Sequence, residues 1–247
     1  MAVTLLEQGI SEANPDAIEP LISDDYRQHN PRVPDGPQGL LGFVEDAAGL
    51  PDERRMKIRV LRSFGDGDFA VTHGAYRRGD REISGMDVFR MRGGQFVEHW
   101  DVGMTQRQLN PSGHGLLDGT APDAASLSSG TERTRAHVRS FVERGLVGRD
   151  HRTLVRGIAR NCIQHDPRLV DGRASWVDAV ERGEIVHEEL VRVIARGQWA
   201  LTQSRGRRGD RPVVISDLFR VQRNRITEHW VAWESVPDDM AHDNGML

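Results

Sequence analysis

Acidic and aromatic side chains lie close together in one stretch of the chain whose residue types suit acid–base chemistry. Residues 87–100 read DVFRMRGGQFVEHW and contain Asp87, Phe89, Glu98 and Trp100. Apolar surroundings raise the pKa of a carboxyl group, which prepares it to take up or release a proton near neutral pH. Asp87 is therefore a candidate catalytic residue. A carboxyl group that only accepts hydrogen bonds from a helix or an arginine would fit the same pattern.

The side chains that share a face depend on the turn between the last two strands. Gly93-Gly94 favours a two-residue turn, and directly paired residues then lie on the same face of the sheet. In this register one face carries Asp87, Phe89, Glu98 and Trp100, and the other carries Val88, His99 and Asp101. A slip of one residue would exchange the faces and make His99 and Asp101 the catalytic pair of the pocket.

Further polar and aromatic residues are candidates for the same site. His29 lies just before Pro31, where it could shuttle a proton or simply pack against the turn that follows. The candidate substrate-binding residues are Tyr26, His73, Phe89, Glu98 and Trp100. A lone histidine on a strand, as His73 is, is more typical of a structural residue.

The chain contains an internal repeat. Residues 26–36, YRQHNPRVPDG, are nearly repeated as CIQHDPRLVDG at 162–172, and residues 87–100 match DLFRVQRNRITEHW at 217–230. The spacing between matches falls from 136 to 130 residues after the Asp-Gly pair, so the second copy has lost six residues there. Matches in the same order along the chain indicate a duplication.

The duplication predicts two domains joined by a linker. The first domain is predicted at residues 1–118 and the second at 132–247, with a linker of small and turn-forming residues at 119–131. The second pocket would contain His165, Asp217, Phe219, Glu228, His229 and Trp230. Because Val231 replaces Asp101 and the helix after Gly172 is shortened, we expect this copy to have changed substrate or become mainly structural.

Each copy reads as helices followed by strands. The apolar spacing predicts a helix at 132–148, a second at 16–23 and 152–159, and a third at 40–48 and 174–182. Four strands are predicted at 57–64, 69–76, 83–91 and 95–104. Helices followed by a run of antiparallel strands predict the α+β class.

Composition excludes several classes of function. The 247 residues carry a net charge of −4, which argues against a nucleic-acid-binding surface. Cys162 is the only cysteine and Lys57 the only lysine, so an intramolecular disulfide is excluded and Schiff-base catalysis is disfavoured. We find no metal-ligand spacing and no membrane segment, and we expect a cytoplasmic protein.

The motifs QHNPxxxDG (28–36) and DxFRxxxGxxxEHWD (87–101) resemble the SnoaL-like group of the NTF2-like superfamily. The resemblance implies two tandem cones, each a curved antiparallel sheet wrapped around about three helices, with an apolar pocket. It also implies that the two cones pair as an intramolecular pseudo-dimer and need no cofactor. Residues 110–119 resemble a tail segment of the same family that can close over a neighbour's pocket, and residues 241–247 would be its counterpart in copy two. For His114 and His242 the favoured alternative is an ordinary surface loop.

These features predict a cofactor-independent acid–base enzyme that acts on a small apolar carbonyl compound. Cyclisation or isomerisation in bacterial secondary metabolism is expected, with Asp87, His29, His99 and Asp101 as the catalytic candidates. One alternative is a non-catalytic binding module for small molecules or proteins. Another is an epoxide hydrolase, which needs an Asp–Arg–Asp cluster; Arg90 is poorly placed for it. Titratable groups that converge in one apolar cavity would favour an enzyme.

Overall fold

The chain divides into two compact units, each with one sheet. The computed structural model describes residues 1–105 and 108–247. Unit 1 comprises Met1–Thr105 and Pro237–Leu247, and unit 2 comprises Gln106–Val236. These units differ from the predicted domains in the segments that follow the last strand of each repeat. Within the described residues, no helix is both long and apolar enough to cross a membrane.

Unit 1 contains two helices and five strands. Its elements are α1 (Ala2–Thr4, continued as a π-helix, Leu5–Ile10), β1 (Ile22–Gln28), α2 (Gly36–Ala48), β2 (Lys57–Asp66), β3 (Phe69–Arg78), β4 (Arg81–Arg92) and β5 (Gln95–Thr105). Short 3-10 turns lie at Pro15–Ala17, Glu19–Leu21 and Asp52–Arg54.

Unit 2 repeats this order behind a longer first helix. Its elements are α3 (Ala124–Leu127), α4 (Thr131–Ser140, continued as a π-helix, Phe141–Val147), α5 (His151–Gly157), β6 (Ile158–Gln164), α6 (Arg173–Arg182), β7 (Val186–Arg196), β8 (Trp199–Arg208), β9 (Arg211–Gln222) and β10 (Arg225–Ser235).

The two sheets have the same topology. Their strand orders are β1-β5-β4-β3-β2 and β6-β10-β9-β8-β7. The predicted α+β class and the tandem duplication are therefore confirmed. The sheets are mixed rather than wholly antiparallel, because β1 runs parallel to β5 and β6 runs parallel to β10.

The second predicted helix of unit 1, at 16–23, was wrong. Pro15 and Pro20 each lie in a 3-10 turn, and strand β1 begins at Ile22. Proline lacks the N–H that a continuing helix needs, so the chain turns here and does not form a helix. The QH motif at the end of this segment therefore lies at the end of a strand, which fixes its side chains against β5.

Each sheet packs one face against helices, and we call this the inner face. In unit 1, Phe89 and Phe96 of the sheet pack with Leu40 and Val44 of α2. In unit 2, Phe219 packs with residues that include Phe141 and Trp176. Successive strand residues point to opposite sides, so Val88 and its neighbours of the same parity lie on the other side, the outer face.

A β-bulge in β5 changes the predicted register. Arg92 pairs with Gln95 as predicted, but the register shifts between Phe96 and Glu98. Phe89 consequently pairs with His99, and Asp87 with Asp101, so the predicted register beyond the turn was wrong by one residue. Unit 2 has the same irregularity, and there Phe219 pairs with His229 and Asp217 with Val231. The extra residue of the bulge moves every later side chain of the strand to the opposite face relative to the prediction.

Candidate active site

Asp87, His99 and Asp101 converge on the inner face of unit 1. Asp87 Oδ1 lies 3.2 Å from His99 Nε2, and one donor atom from each of the three residues lies within 4.8 Å of the others. Asp87 is only 2% exposed and His99 only 7%, whereas Asp101 is partly exposed. A register slipped by one residue predicted the pair of His99 and Asp101, and the bulge produces that slip; Asp87 joins them because it pairs with Asp101 across the strands.

His99 is held between two oxygen acceptors. Its Nδ1 lies 3.1 Å from Oε1 of Gln28, which also accepts from the backbone N–H of His29 and of Asn30. Since both ring nitrogens face acceptors, the geometry suits the doubly protonated imidazolium. Burial lowers the pKa of His99, but the hydrogen bond to Asp87 and the charges of Asp101 and Asp87 raise it, and the net direction is upward.

The second oxygen of Asp87 accepts two hydroxyl groups. Thr72 Oγ1 donates to Asp87 Oδ2 at 2.8 Å, and the Tyr76 hydroxyl donates to the same oxygen. Burial and the charge of Asp87 raise the pKa of Tyr76 well above its usual value, so the phenol remains a donor. Tyr76 lies across Gly85, where a Cβ would come within 2.7 Å of Cδ2 of the tyrosine ring.

Asp101 lies at the partly open side of the cluster. Asn30 Nδ2 donates to Asp101 Oδ2 at 2.7 Å. Gln28 Nε2 donates to the Tyr26 hydroxyl oxygen at 3.1 Å, and burial and the charge of Asp101 raise the pKa of Tyr26 well above its usual value. Asp101, Asn30 and Tyr76 are all partly exposed.

The cluster suits proton transfer better than metal binding. Among the described residues, Asp87, His99 and Asp101 form a group whose donor atoms are close enough to hold a metal ion. The Asp87 carboxylate, however, already accepts from His99, Thr72 and Tyr76. Phe89 stacks on the His99 ring, with ring centres 4.5 Å apart, and so supplies an apolar wall.

The other predicted residues of the first site lie on the outer face. Glu98 Oε1 is 2.9 Å from His29 Nε2, and Arg90 Nε donates to Glu98 Oε2 at 2.8 Å. His29 Nδ1 donates to the carbonyl of Gly245, and its ring stacks on Trp100 at 4.8 Å. The structure therefore separates His29, Glu98 and Trp100 from Asp87, and it places Arg90 away from an Asp–Arg–Asp arrangement.

A tail segment covers this outer cluster in each unit. In unit 1, Asn244 Nδ2 donates to the carbonyl of Gln28 at 3.0 Å, next to the bond between His29 and Gly245. In unit 2, His165 Nδ1 lies 2.8 Å from the carbonyl of Gly115, and its Nε2 lies 3.1 Å from Glu228. Both tails thus contact the outer histidine of their unit rather than the inner carboxylates.

Trp230 and His73 also belong to the outer faces. Trp230 stacks on His165 at 4.7 Å and donates from Nε1 to the carbonyl of Asp118. His73 Nδ1 lies 3.2 Å from Arg62 Nη1, which can only donate, so Nε2 of the neutral ring donates to Ser84 Oγ at 2.8 Å. Trp230 and His73 therefore pack on the outer faces, away from the inner clusters.

Unit 2 builds a different cluster at the position equivalent to Asp87. Asp217 accepts from His229 Nε2 and His187 Nε2, both at 2.9 Å. Burial acts to raise the pKa of Asp217, but the two histidines lower it well below its usual value. Val231 takes the place of Asp101, so the second carboxylate is missing.

Side chains fill the inner face of unit 2. Trp176 stacks on His229 with ring centres 4.0 Å apart and is 5% exposed. Gly206 and Ile215 replace Tyr76 and Gly85, and a Cβ on Gly206 would come within 2.7 Å of Ile215 Cδ1. In unit 1 the large residue of this pair is on β3 and the small one on β4, whereas in unit 2 the small residue is on β8 and the large one on β9. The exchange keeps the space between the strands filled but removes the phenol.

Several residues of the inner clusters were not predicted from the sequence. They are Gln28, Asn30, Thr72 and Tyr76 in unit 1, and Gln164, Trp176 and His187 in unit 2. The repetition of Gln in the QH motif was a signal for Gln28 and Gln164, because both orient the inner histidine. Tyr76 had no such signal, since it is absent from the second copy.

Comparison with known proteins agrees with this architecture. Residues 3–99 match the SnoaL-like domain family, and no curated protein is significantly similar in sequence. The match covers the first repeat. The first repeat is therefore a SnoaL-like domain, and unit 2 carries a second copy of the same fold.

Three similar solved structures each match less than half of this chain. A candidate ketosteroid isomerase from Kribbella flavida DSM 17836 is 21% identical over 44% of this chain and 82% of its own, with a TM-score of 0.38. An LEH-like epoxide hydrolase from M. tuberculosis is 19% identical over 42% and 84%, with a TM-score of 0.36. An NTF2-like protein of unknown function from Mesorhizobium loti is 22% identical over 46% and 96%, with a TM-score of 0.37.

Proposed function

We propose that unit 1 is an acid–base enzyme that acts, without a cofactor, on a small and fairly apolar carbonyl compound as an aldol-type cyclase or an isomerase. The observation that carries the proposal is the partly exposed residue Asp101 beside a buried His99–Asp87 pair, with the phenols of Tyr26 and Tyr76 bonded into the same cluster. Bacterial secondary metabolism is the setting we expect for such a reaction.

Asp101 is the proton acceptor in this proposal. Its carboxylate removes a proton from the carbon next to the substrate carbonyl, and the electrons of that C–H bond form an enolate. The Tyr26 hydroxyl, which accepts from Gln28 and keeps its own proton, donates a hydrogen bond to the enolate oxygen. An isomerase would return the proton to another carbon. In an aldol cyclisation the enolate carbon would attack a second carbonyl, whose oxygen takes the proton from Asp101.

Asp87 and His99 support this carboxylate. Both oxygens of Asp87 already accept hydrogen bonds from His99, Thr72 and Tyr76, so Asp87 is poorly placed to take a proton from a substrate. The imidazolium of His99, bonded to Asp87, stabilises the ionised form of Asp101. His29, bonded to Glu98 on the outer face, has no part in the proposed reaction.

Hydrogen–deuterium exchange on a panel of small apolar ketones tests the proposal without knowledge of the true substrate. NMR in D₂O follows loss of the α-proton signal. Asp101→Asn should lower the exchange rate by roughly 10²–10⁴-fold, the usual contribution of a general base. Asp217→Asn removes the carboxylate at the position in unit 2 equivalent to Asp87 and should leave the rate within about twofold of wild type. Full activity in Asp101→Asn, or no exchange by the wild type, would contradict the proposal.

Epoxide hydrolysis is the second candidate, and one observation favours it. His99 supplies a cation close to two carboxylates, Asp87 and Asp101, where the epoxide hydrolase interpretation required an arginine. Such a cluster could orient a water molecule through Asp101 and Asn30. A panel of small epoxides in ¹⁸O-labelled water separates the two functions, because only hydrolysis places the label in a diol.

A binding or structural role fits unit 2 better than unit 1. Trp176 occupies the inner face there, and Val231 replaces the carboxylate that we assign as the base. We therefore propose that proton transfer belongs to unit 1 alone.

A further inference from the structure

A polar groove in unit 2 is lined by arginine residues. The groove has a volume of about 870 Å³ and lies between the start of α4 and the turn that joins β9 to β10. We call it the arginine groove after Arg133, Arg223 and Arg225, which line it together with amide side chains that include Asn161, Gln198 and Gln222. It is separate from the Asp217 cluster, whose residues do not line it.

The positive charge of the arginine groove is not neutralised by its walls. No aspartate or glutamate is among the lining residues, and all three arginines are exposed. Within the described part of the chain, none of the three forms an ion pair, and Arg225 makes only a long hydrogen bond of 3.5 Å to the carbonyl of Ile158. Burial and the charge of Arg225 together lower the pKa of the nearby His137.

The duplicated chain provides an internal comparison for this charge. Beside the equivalent turn in unit 1, Asp25 of β1 pairs with Arg92 at the end of β4, and unit 2 has Asn161 and Gln222 in their places. Gln198 likewise replaces Asp68. The second copy has therefore lost both acidic side chains at this corner of the fold.

The same comparison shows where the arginines were gained. Arg223 and Arg225 of unit 2 replace Gly93 and Gln95 of unit 1, whereas Arg133 lies on α4 beyond the part of the fold that unit 1 contains. The corner has thus changed from acidic in unit 1 to basic in unit 2.

The turn between β9 and β10 holds Arg223 in a backbone conformation that is unfavourable for arginine. Arg223 and Asn224 have φ values of 49° and 60°, in the left-handed region that glycine adopts without strain. Unit 1 has Gly93 and Gly94 at these positions, with φ values of 59° and 84°. Replacement of Gly by Arg in such a turn opposes stability, and strain of this kind is typical of functional positions.

We propose that the arginine groove binds a small multivalent oxyanion, a compound that carries a pyrophosphate or several carboxylates. Guanidinium groups bind phosphate and carboxylate through paired hydrogen bonds, and the neighbouring amides add uncharged donors. The volume is that of a small-molecule site rather than of an extended macromolecular interface. This binding is independent of the proposed function of unit 1.

Isothermal titration calorimetry with the full chain tests the proposal, with inorganic pyrophosphate and citrate as the two probes. Arg225→Gln and Arg223→Gly restore the residues of unit 1 and should each weaken binding by about tenfold or more. Arg211→Gln removes an exposed arginine of unit 2 outside the groove, and we expect it to change affinity by less than about twofold. Arg223→Gly should also raise the melting temperature in the absence of anion, because it relieves the left-handed arginine.

Each outcome decides the question. Tighter binding of pyrophosphate identifies a phosphate ligand, and tighter binding of citrate identifies a polycarboxylate ligand. Either result supports the site when Arg225→Gln and Arg223→Gly weaken that binding. The proposal is overturned if neither small anion binds, whether or not hexaglutamate does. It is also overturned if Arg211→Gln weakens binding as much as Arg225→Gln does. The gain in melting temperature shows that Arg223→Gly is folded, so its loss of binding is not due to unfolding.

Discussion

His99 is the residue whose charge state links the inner cluster to stability. Its pKa is raised relative to the ordinary histidine value of 6.5, since Asp87 and Asp101 outweigh the effect of burial. A raised folded-state pKa means that the folded chain binds a proton more tightly than the unfolded chain does. The stabilisation is therefore complete below about pH 6.5 and is lost as the pH rises through the folded-state pKa.

We predict that the stability advantage of wild type over His99→Gln falls as the pH rises from 5 to 9. Hydrogen exchange of peptides from β4 and β5 measures this stability locally, without the contribution of unit 2. His151→Gln, which changes an exposed histidine of unit 2, is the control and should leave these peptides unaffected. A difference that grows with pH would show that His99 is neutral in the folded chain.

The identities of the catalytic candidates could be predicted from the sequence, but their grouping could not. Asp87, His99 and Asp101 stand out because few residue types carry protons near neutral pH. Which of them share a face depends on one residue in β5, and the bulge beside Val97 carries no glycine or proline to mark it. The hydrogen-bond partners Gln28 and Tyr76 come from other strands, β1 and β3, so their contacts with the cluster arise only when these strands pair with β5 and β4.

At the scale of the elements, the last four strands of unit 1 and the helix after its Asp-Gly pair were predictable, and the segment before the QH motif was not. Alternating apolar residues marked the strands, and α2 begins at Gly36 directly after Asp35, as the Asp-Gly pair suggested. The segment at 16–23 looked helical by periodicity, but Pro15 and Pro20 outweighed it. Pairing of β1 with β5 is parallel and long-range, and local sequence carries no signal for it.

The β3–β4 pair gives a prediction at this scale, because Tyr76 lies across Gly85. Gly85→Ala would place a Cβ 2.7 Å from Cδ2 of Tyr76, and the ring has to move away from Asp87. We predict a loss of about 1–3 kcal/mol in the free energy of unfolding, the usual result of overpacking. In a Tyr76→Ala background the same change should cost much less, which a double-mutant cycle measured by urea unfolding detects.

Gly42→Ala is the matched control for that cycle. Gly42 lies in α2, and a Cβ there would meet no other atom within 4 Å. Alanine in a helix interior should stabilise the chain by up to about 1 kcal/mol. Equal costs of Gly85→Ala with and without Tyr76 would show that the ring does not set the size of residue 85.

At the scale of the whole molecule, the two copies share a fold but not a chemistry. Unit 1 keeps a partly exposed carboxylate, Asp101, at the inner cluster, and unit 2 has the buried Val231 there. Counting from the glycine of each Asp-Gly pair, Leu40 of α2 corresponds to Trp176 of α6, since each lies four residues further along the chain. The duplication was visible from the sequence, and so was the loss of Asp101. The closure of the second site by an indole was not, because the six-residue deletion obscured this correspondence.

This asymmetry predicts one inner binding site per chain. An apolar ketone that serves as a substrate analogue should bind with a stoichiometry of one in calorimetry, since Trp176 occupies the space beside His229 in unit 2. Trp176→Leu gives unit 2 the smaller residue of unit 1 and should raise the stoichiometry towards two, with circular dichroism to check the fold. Asp101→Asn should keep the stoichiometry of one while it loses α-proton exchange, because it removes the base and leaves the apolar walls in place. Two equal sites in the wild type would contradict this division between the units.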